Sequence, residues 1–185
     1  MSNYDVSLGT NQNVVLNVLR DAGLRYVVCA GIMGNIEAES KFNTAWSGDQ
    51  GSVGICQWRE GRKNNLVNFA NAIGGSVTDI NVQAAFIIEE LTGARFGNTY
   101  KDFSASYFDE IAKAVNVKKA VDIVTALYER AQNYSTWSDV VDACNTSSWM
   151  TIDRYSTDAN TYNGRFYIDT PKRRGYADAY FELIV

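Results

Sequence analysis

Histidine is missing altogether from the 185 residues. That removes the Ser-His and Cys-His nucleophile pairs and the His-ligated zinc hydrolase site. Any hydrolytic chemistry must therefore run on carboxylates, or on rarer Lys or Thr devices. Cysteine is scarce: Cys29, Cys56 and Cys144 form an odd set that cannot close fully into disulfides. Cys29, inside the apolar run Tyr26-Val27-Val28-Cys29-Ala30, reads as a buried thiol, and the chain as one made and folded in a reducing cytoplasm. Positive charge is in the minority, with 17 Lys and Arg against 21 Asp and Glu and a net charge of −4. Phosphate binding by counterion release needs clustered Lys and Arg, so nucleic acid is not an expected partner. No stretch approaches the roughly 18 apolar residues of a membrane span. Met1-Ser2-Asn3-Tyr4-Asp5 lacks the basic start and apolar core of a signal peptide. No Asp/Asn run matches a calcium loop, and neither a metal nor a cofactor is expected.

What is present is ordinary globular composition, 46% apolar and 21% charged, at a length close to the roughly 150 residues of one domain. Helical periodicity dominates. Asn11 to Leu24 places Val14, Val15, Val18 and Leu19 on one face, and Arg25 to about Glu39 forms a second, more apolar helix. Gly31 and Gly34 lie inside that second helix, where each costs about 1 kcal/mol against Ala; they suggest close packing or close approach of a ligand. Residues 40–58 turn polar and Gly-rich, then β-prone at Val53-Gly54-Ile55-Cys56-Gln57-Trp58, which reads as a loop and a small hairpin over 51–58. Helices resume at Gly61 to Ile73, Asn81 to Leu91, Phe108 to Val115 and Val117 to Ala131. From Gln132 to Asp169 the periodicity dissolves into an Asn-, Ser-, Thr- and Tyr-rich stretch. It holds Trp137, Trp149, Tyr155, Tyr162 and Tyr167 and is too aromatic for disorder. Thr170-Pro171, an N-cap followed by Pro at the first helical position, opens a final helix through Leu183. The fold class is mainly α with a small β element.

The segment richest in chemistry is Gly31-Ile32-Met33-Gly34-Asn35-Ile36-Glu37-Ala38-Glu39-Ser40-Lys41-Phe42-Asn43. Glu37 and Glu39, two apart, lie about 200° apart around a helix, so one faces a site and the other solvent. Carboxylates at a helix C-terminus oppose the macrodipole, a misplacement that argues for function at one of them. Trp46, in the following loop, is a candidate platform for a sugar face. Asp49, in Ser47-Gly48-Asp49-Gln50-Gly51, is a candidate second carboxylate on the opposite lip.

The run Ala30 to Asn43 resembles the catalytic helix of phage tail lysozymes, glycosidases of lysozyme-like fold, whose wider superfamily shares a Glu-Ser-x-Phe-Asn pattern there. Four further blocks resemble the family in order and spacing: Gly51 to Trp58, Gly61-Arg62 with its helix, Ile88-Glu89-Glu90-Leu91, and Ala126 to Ala131 with its aromatic-Glu-Arg motif. The Pro that usually continues that last motif is absent. The blocks span residues 11–131, and the last helix completes the domain. The resemblance implies a single α+β lysozyme-like domain over 1–185 carrying an insertion at about 132–169. The apolar ending Phe181 to Val185 fits a domain cut from a longer tail protein.

By this resemblance Glu39 is the general acid, Gln57 hydrogen-bonds sugar near the scissile bond, and the aromatic-Glu-Arg motif falls on Tyr128, Glu129 and Arg130, with Tyr128 a candidate substrate contact. Glu129 and Arg130 also read as a buried ion pair, and Trp58 equally as hairpin packing or substrate contact. Glu39 is expected against an apolar wall of Ile36, Ile55 and Trp58 that raises its pKa. The water-activating partner is open between Asp49, Glu37 and no second carboxylate at all. The implied activity is that of an N-acetylmuramidase on bacterial peptidoglycan. It would be carried in the virion tail beside other tail proteins, synthesised in the host cytoplasm, and used as the phage penetrates or lyses its host. Two alternatives remain: a lytic transglycosylase with the same acid, and an inactive carbohydrate-binding tail module.

Overall fold

The computed structural model describes residues 4–48, 51–103, 105–152 and 162–185. Within them the chain runs through α1 (Thr10–Asp21), α2 (Tyr26–Ser40), α3 (Glu60–Ala72), α4 (Ile80–Thr92), α5 (Ala105–Ala112) and α6 (Val117–Ile123). The last of these passes directly into a π-helical turn, Val124–Glu129. Then follow β1 (Asn133–Tyr134), α7 (Trp137–Thr146), β2 (Phe166–Tyr167) and α8 (Thr170–Ile184). This is the mainly α, lysozyme-like architecture that the resemblance implied. No helix among the described residues is long and apolar enough to cross a membrane.

The fold is assembled on α2. Every residue from Val28 to Ile36 is buried, and a helix apolar on all sides must be enclosed. Its most extensive neighbours are α8 and α6, with α1 on a further side. The two internal glycines make that enclosure possible. A Cβ on Gly31 would stand 2.7 Å from the Cβ of Ala120 in α6, and one on Gly34 would stand 2.6 Å from both Cβ and backbone N of Ala177 in α8. The sequence reading of close packing at these positions holds, and the neighbours are backbone rather than flexible side-chain ends. Gly34→Ala should therefore destabilise despite its better helix propensity. Overpacking costs about 1–3 kcal/mol against the ~1 kcal/mol that Ala contributes in a helix. Thermal melting checks this, and an unchanged or raised Tm would contradict the packing.

Local signals explain most boundaries. Asp79 caps α4 by accepting from the Asn81 amide at 2.8 Å, and Gly93 ends it in the left-handed region at φ 65°. Asn116 caps α6 by accepting from the Lys119 amide. Thr170, expected as an N-cap, is instead the first residue of α8. Asp169 precedes it, and the Thr170 hydroxyl donates back to the carbonyl of Tyr167 at 2.7 Å.

Two elements differ from the sequence expectation. The hairpin over 51–58 is a tight turn rather than paired strands: Val53 and Trp58 exchange backbone hydrogen bonds of 2.9 Å, and Ser47 bridges Val53. The regular two-stranded sheet pairs Asn133 with Tyr167 and Tyr134 with Phe166. It closes off the segment expected to lack periodicity. That segment also contains α7, opened by a reciprocal capping box between Thr136 and Asp139, and a small core of Val140, Met150 and Phe166 with Trp137 against Phe166. Tyr155 lies outside the described residues. Cys29 is buried and unpaired, as its apolar run predicted, and Cys56 and Cys144 are also free thiols.

Candidate active site

The last turn of α2 delivers Glu39 to a cleft of about 650 Å³. The chain cannot continue as a helix there, because Lys41 and Phe42 take positive φ of 53° and 57°, a conformation strained for a bulky residue. Surrounding contacts hold it in place. Phe42 is buried against Tyr180 with ring centroids 5.9 Å apart, the Asn11 side chain donates to the Phe42 carbonyl, and the Ser40 hydroxyl donates to the Ile55 carbonyl at 2.8 Å. These contacts tie the helix end to the tight turn that forms the facing wall. The opposite wall comes from the end of the π turn and from the start of α8.

None of the residues expected as an apolar wall lines the cleft. Ile36, Ile55 and Trp58 are sealed in the core at 0% exposure. The partner of Glu39 is Arg173, in the first turn of α8, which is itself 3% exposed and donates to the Glu39 carboxylate. Arg173 also donates to Asn35 Oδ1 at 2.9 Å, and the Thr125 hydroxyl lies 2.8 Å from the same oxygen. Burial works against the guanidinium charge of Arg173, and Glu39 and Glu129 offset this and hold its pKa up. A buried cation of this kind is tolerable only when paired and hydrogen-bonded.

The carboxyl group that burial does push up is Glu129. It closes the π turn and lines the same cleft as Glu39. Desolvation and then the negative charge of Glu39 raise its pKa to about 8, against the lowering effects of Arg173 and Arg62. In the sequence Glu129 belongs to the aromatic-Glu-Arg motif and reads alternatively as half of a buried ion pair with Arg130. The structure separates that pair, since Arg130 bonds Asp102 at 3.0 Å. The π turn makes the separation possible. Its wider winding sends Tyr128 inward, where its hydroxyl meets Glu90 at 2.8 Å, while Glu129 reaches the cleft. Turns of this kind are enriched at functional sites.

The remaining expected residues divide between the cleft and the core. Trp46 lines the cleft at 46% exposure. Gln57 lines it too, at φ 51°, with its side chain folded into its own turn: Nε2 donates to the Gly54 carbonyl at 2.8 Å and Oε1 accepts from the Ser52 hydroxyl. Trp58 and Tyr128 lie in the core. They are 0% and 2% exposed and both donate to Glu90, so neither ring offers a face to a ligand. Glu37 accepts from the Tyr180 hydroxyl at 2.7 Å and does not line the cleft. Asp49 lies outside the described residues. Cys56 borders the cleft, but burial pushes its thiol well above its ordinary pKa, which keeps it protonated and unreactive.

Beyond Glu129 the cleft opens into a second hollow of about 260 Å³, lined by Arg59, Arg62, Asp102, Arg130 and again Gln57 and Glu129. The two hollows adjoin, since Gln57, Arg59, Glu129 and Arg130 line both. Arg173 and Asn35 were not anticipated. The signal for Asn35 was visible: a polar amide amid Gly31-Ile32-Met33-Gly34 and Ile36 in a helix buried on all sides. Arg173 had no local signal. A family model described as phage tail lysozyme matches residues 10–183 of the chain. No curated protein matches it.

Proposed function

Since this chain belongs to the phage tail lysozyme family, whose tail enzymes act on peptidoglycan, we propose that it is an N-acetylmuramidase. It hydrolyses the glycan strand of the bacterial cell wall from a position in the virion tail. The observation that carries this reading is the pair of carboxylates, Glu39 and Glu129, lining one groove. Glycoside hydrolysis needs a proton on one carboxyl at neutral pH and an ionised partner nearby. Glu39 is the general acid that protonates the leaving glycosidic oxygen. The Asp49 carboxylate was the expected water activator, and Asp49→Asn tests that role separately. Gln57 steadies the sugar beside the scissile bond, and Trp46 supplies a ring face.

Digestion of purified peptidoglycan followed by mass spectrometry of the muropeptides tests the reading. Products with reducing N-acetylmuramic acid ends are expected. Anhydro-muramic ends would replace hydrolysis by transglycosylation, and an intact wall would leave only a binding module. Trp46→Ala should raise KM by roughly three- to tenfold with kcat little changed, the scale of one aromatic contact. An unchanged KM would remove Trp46 from the binding surface.

A further inference from the structure

Arg173, in the first turn of α8, reaches Glu39 through a bridge of buried polar groups that the glycosidase reading leaves without a task. We infer that Arg173 is a positioning residue for the general acid. It takes up Glu39 Oε1, so that Oε2 carries the proton to the leaving oxygen, and its fixed charge offsets the carboxylate that remains. The inference rests on the glycosidase reading and names how that same acid is held.

The geometry of the bridge is the first argument. Asn35 and Glu39 stand four residues apart on α2, hence on one face of that helix. Arg173 spans both: Nη1 donates to Asn35 Oδ1 at 2.9 Å and Nη2 donates to Glu39 Oε1. Its Nε points to the Ile168 carbonyl at 3.4 Å. Asn35 is 0% exposed, and its amide cannot turn over, because Nδ2 donates to the Gly31 carbonyl at 2.9 Å. A planar guanidinium held at Nε and Nη1 has a fixed plane, which fixes the direction of the N–H aimed at Glu39. Thr125, whose hydroxyl lies 2.8 Å from Asn35 Oδ1, belongs to the π turn that ends in Glu129. Both walls of the cleft are therefore referenced to one buried amide.

Charge is the second argument. As the bond from the glycosidic oxygen to the anomeric carbon breaks, the proton passes from Oε2 to that oxygen, and Glu39 is left as a carboxylate. Water then adds its oxygen to the anomeric carbon, and the proton it releases balances the one given up. The carboxylate forms at the C-terminal end of α2, where the helix dipole opposes negative charge, in a cleft that also holds Glu129. Arg173 meets it there with a side chain only 4% exposed, so solvent and salt screen the pair little. A cation already in place where negative charge develops stabilises the transition state without reorganising.

Arg174, the next residue of α8, supplies the contrast. It grips Asp122 through two nitrogens at 2.8 Å and does not line the cleft. That pair is structural, and it makes a matched control.

The test uses the full chain on purified peptidoglycan. Arg173→Lys retains a positive charge but not the fork that reaches Asn35 and Glu39 together. It should lower kcat by about tenfold or more, the scale of a misplaced catalytic group, with KM within about threefold of the wild type. Arg174→Lys breaks a comparable fork and should leave kcat within about threefold, whatever each variant loses in Tm. The deciding arm is a cycle with Glu39→Gln. Once the proton of Glu39 is gone, Arg173→Lys should lower the residual kcat by less than about twofold further. Thr125→Val removes the hydroxyl beside Asn35. It should show the same pattern at a loss of about threefold or more, and it carries the cycle if Arg173→Lys does not fold. Three results would overturn the inference while leaving the glycosidase reading in place: full kcat in Arg173→Lys, or in Thr125→Val where it stands in; a raised KM with kcat unchanged; or an equal fold-loss with and without Glu39→Gln. A wild type inert on peptidoglycan would overturn the glycosidase reading, and the role assigned to Arg173 with it.

Discussion

Glu39→Gln should reduce peptidoglycan cleavage by about 100-fold or more, the scale of a lost general acid. The substitution keeps the shape of the side chain and its hydrogen bond from Arg173 but cannot deliver a proton to the leaving oxygen. Folding should survive, since the side chain is 22% exposed and the amide oxygen still accepts from the guanidinium. The control is Glu37→Gln. Glu37 bonds Tyr180 away from the cleft, and its substitution should leave turnover within a few-fold of the wild type. Initial rates of muropeptide release, with circular dichroism to verify the fold, make the comparison. An active Glu39→Gln beside an inactive Glu37→Gln would reverse the assignment of the acid.

Glu90→Ala should produce the largest loss of stability. The Glu90 carboxylate is fully buried and accepts from the Trp58 indole at 2.8 Å, the Tyr128 hydroxyl at 2.8 Å, and Arg62 through two nitrogens. Its removal strands a guanidinium and two ring donors in the core. Breaking a buried pair in this way costs about 3–5 kcal/mol, or roughly 6–20 °C of Tm for a chain of this size. Because Tyr128 and Arg62 brace the π turn, activity should fall as well, even below the melting temperature. Glu182→Gln, exposed on α8, should stay within about 0.5 kcal/mol of the wild type. A Glu90→Ala melting curve that overlays that control would show that the network does not hold the core together.

The helices were legible because their signals are local. Apolar periodicity announced α1, α3 and α4, and the uninterrupted apolar run with its two glycines announced a central, enclosed α2. The signal for α7 was equally local, a Thr136-x-x-Asp139 capping box, but the surrounding Asn, Ser and Thr residues masked it. The β-prone run 53–58 formed a turn because its apolar residues, Ile55, Cys56 and Trp58, are consumed by the core. The short sheet arose instead where 133–134 and 166–167 bring together the two ends of the stretch 132–169.

The sequence by itself determined the class of chemistry and the frame that carries it. With no histidine and an acidic balance, carboxylates were left to do the work. The order of five motif blocks pointed to the lysozyme-like fold, and a carboxylate at the end of a buried helix marked one side of a site. Only the tertiary structure decided which side chains share the cleft and which are spent on the core. Arg173 stands 134 residues from Glu39 along the chain, and the charge on Glu129 depends on groups contributed by four different helices. Local propensity acts over a few residues, so it can write a helix and its caps. Desolvation and charge coupling exist only after distant segments have excluded water between them. That is why Trp58 and Tyr128 looked like substrate contacts in the sequence and are core donors in the fold.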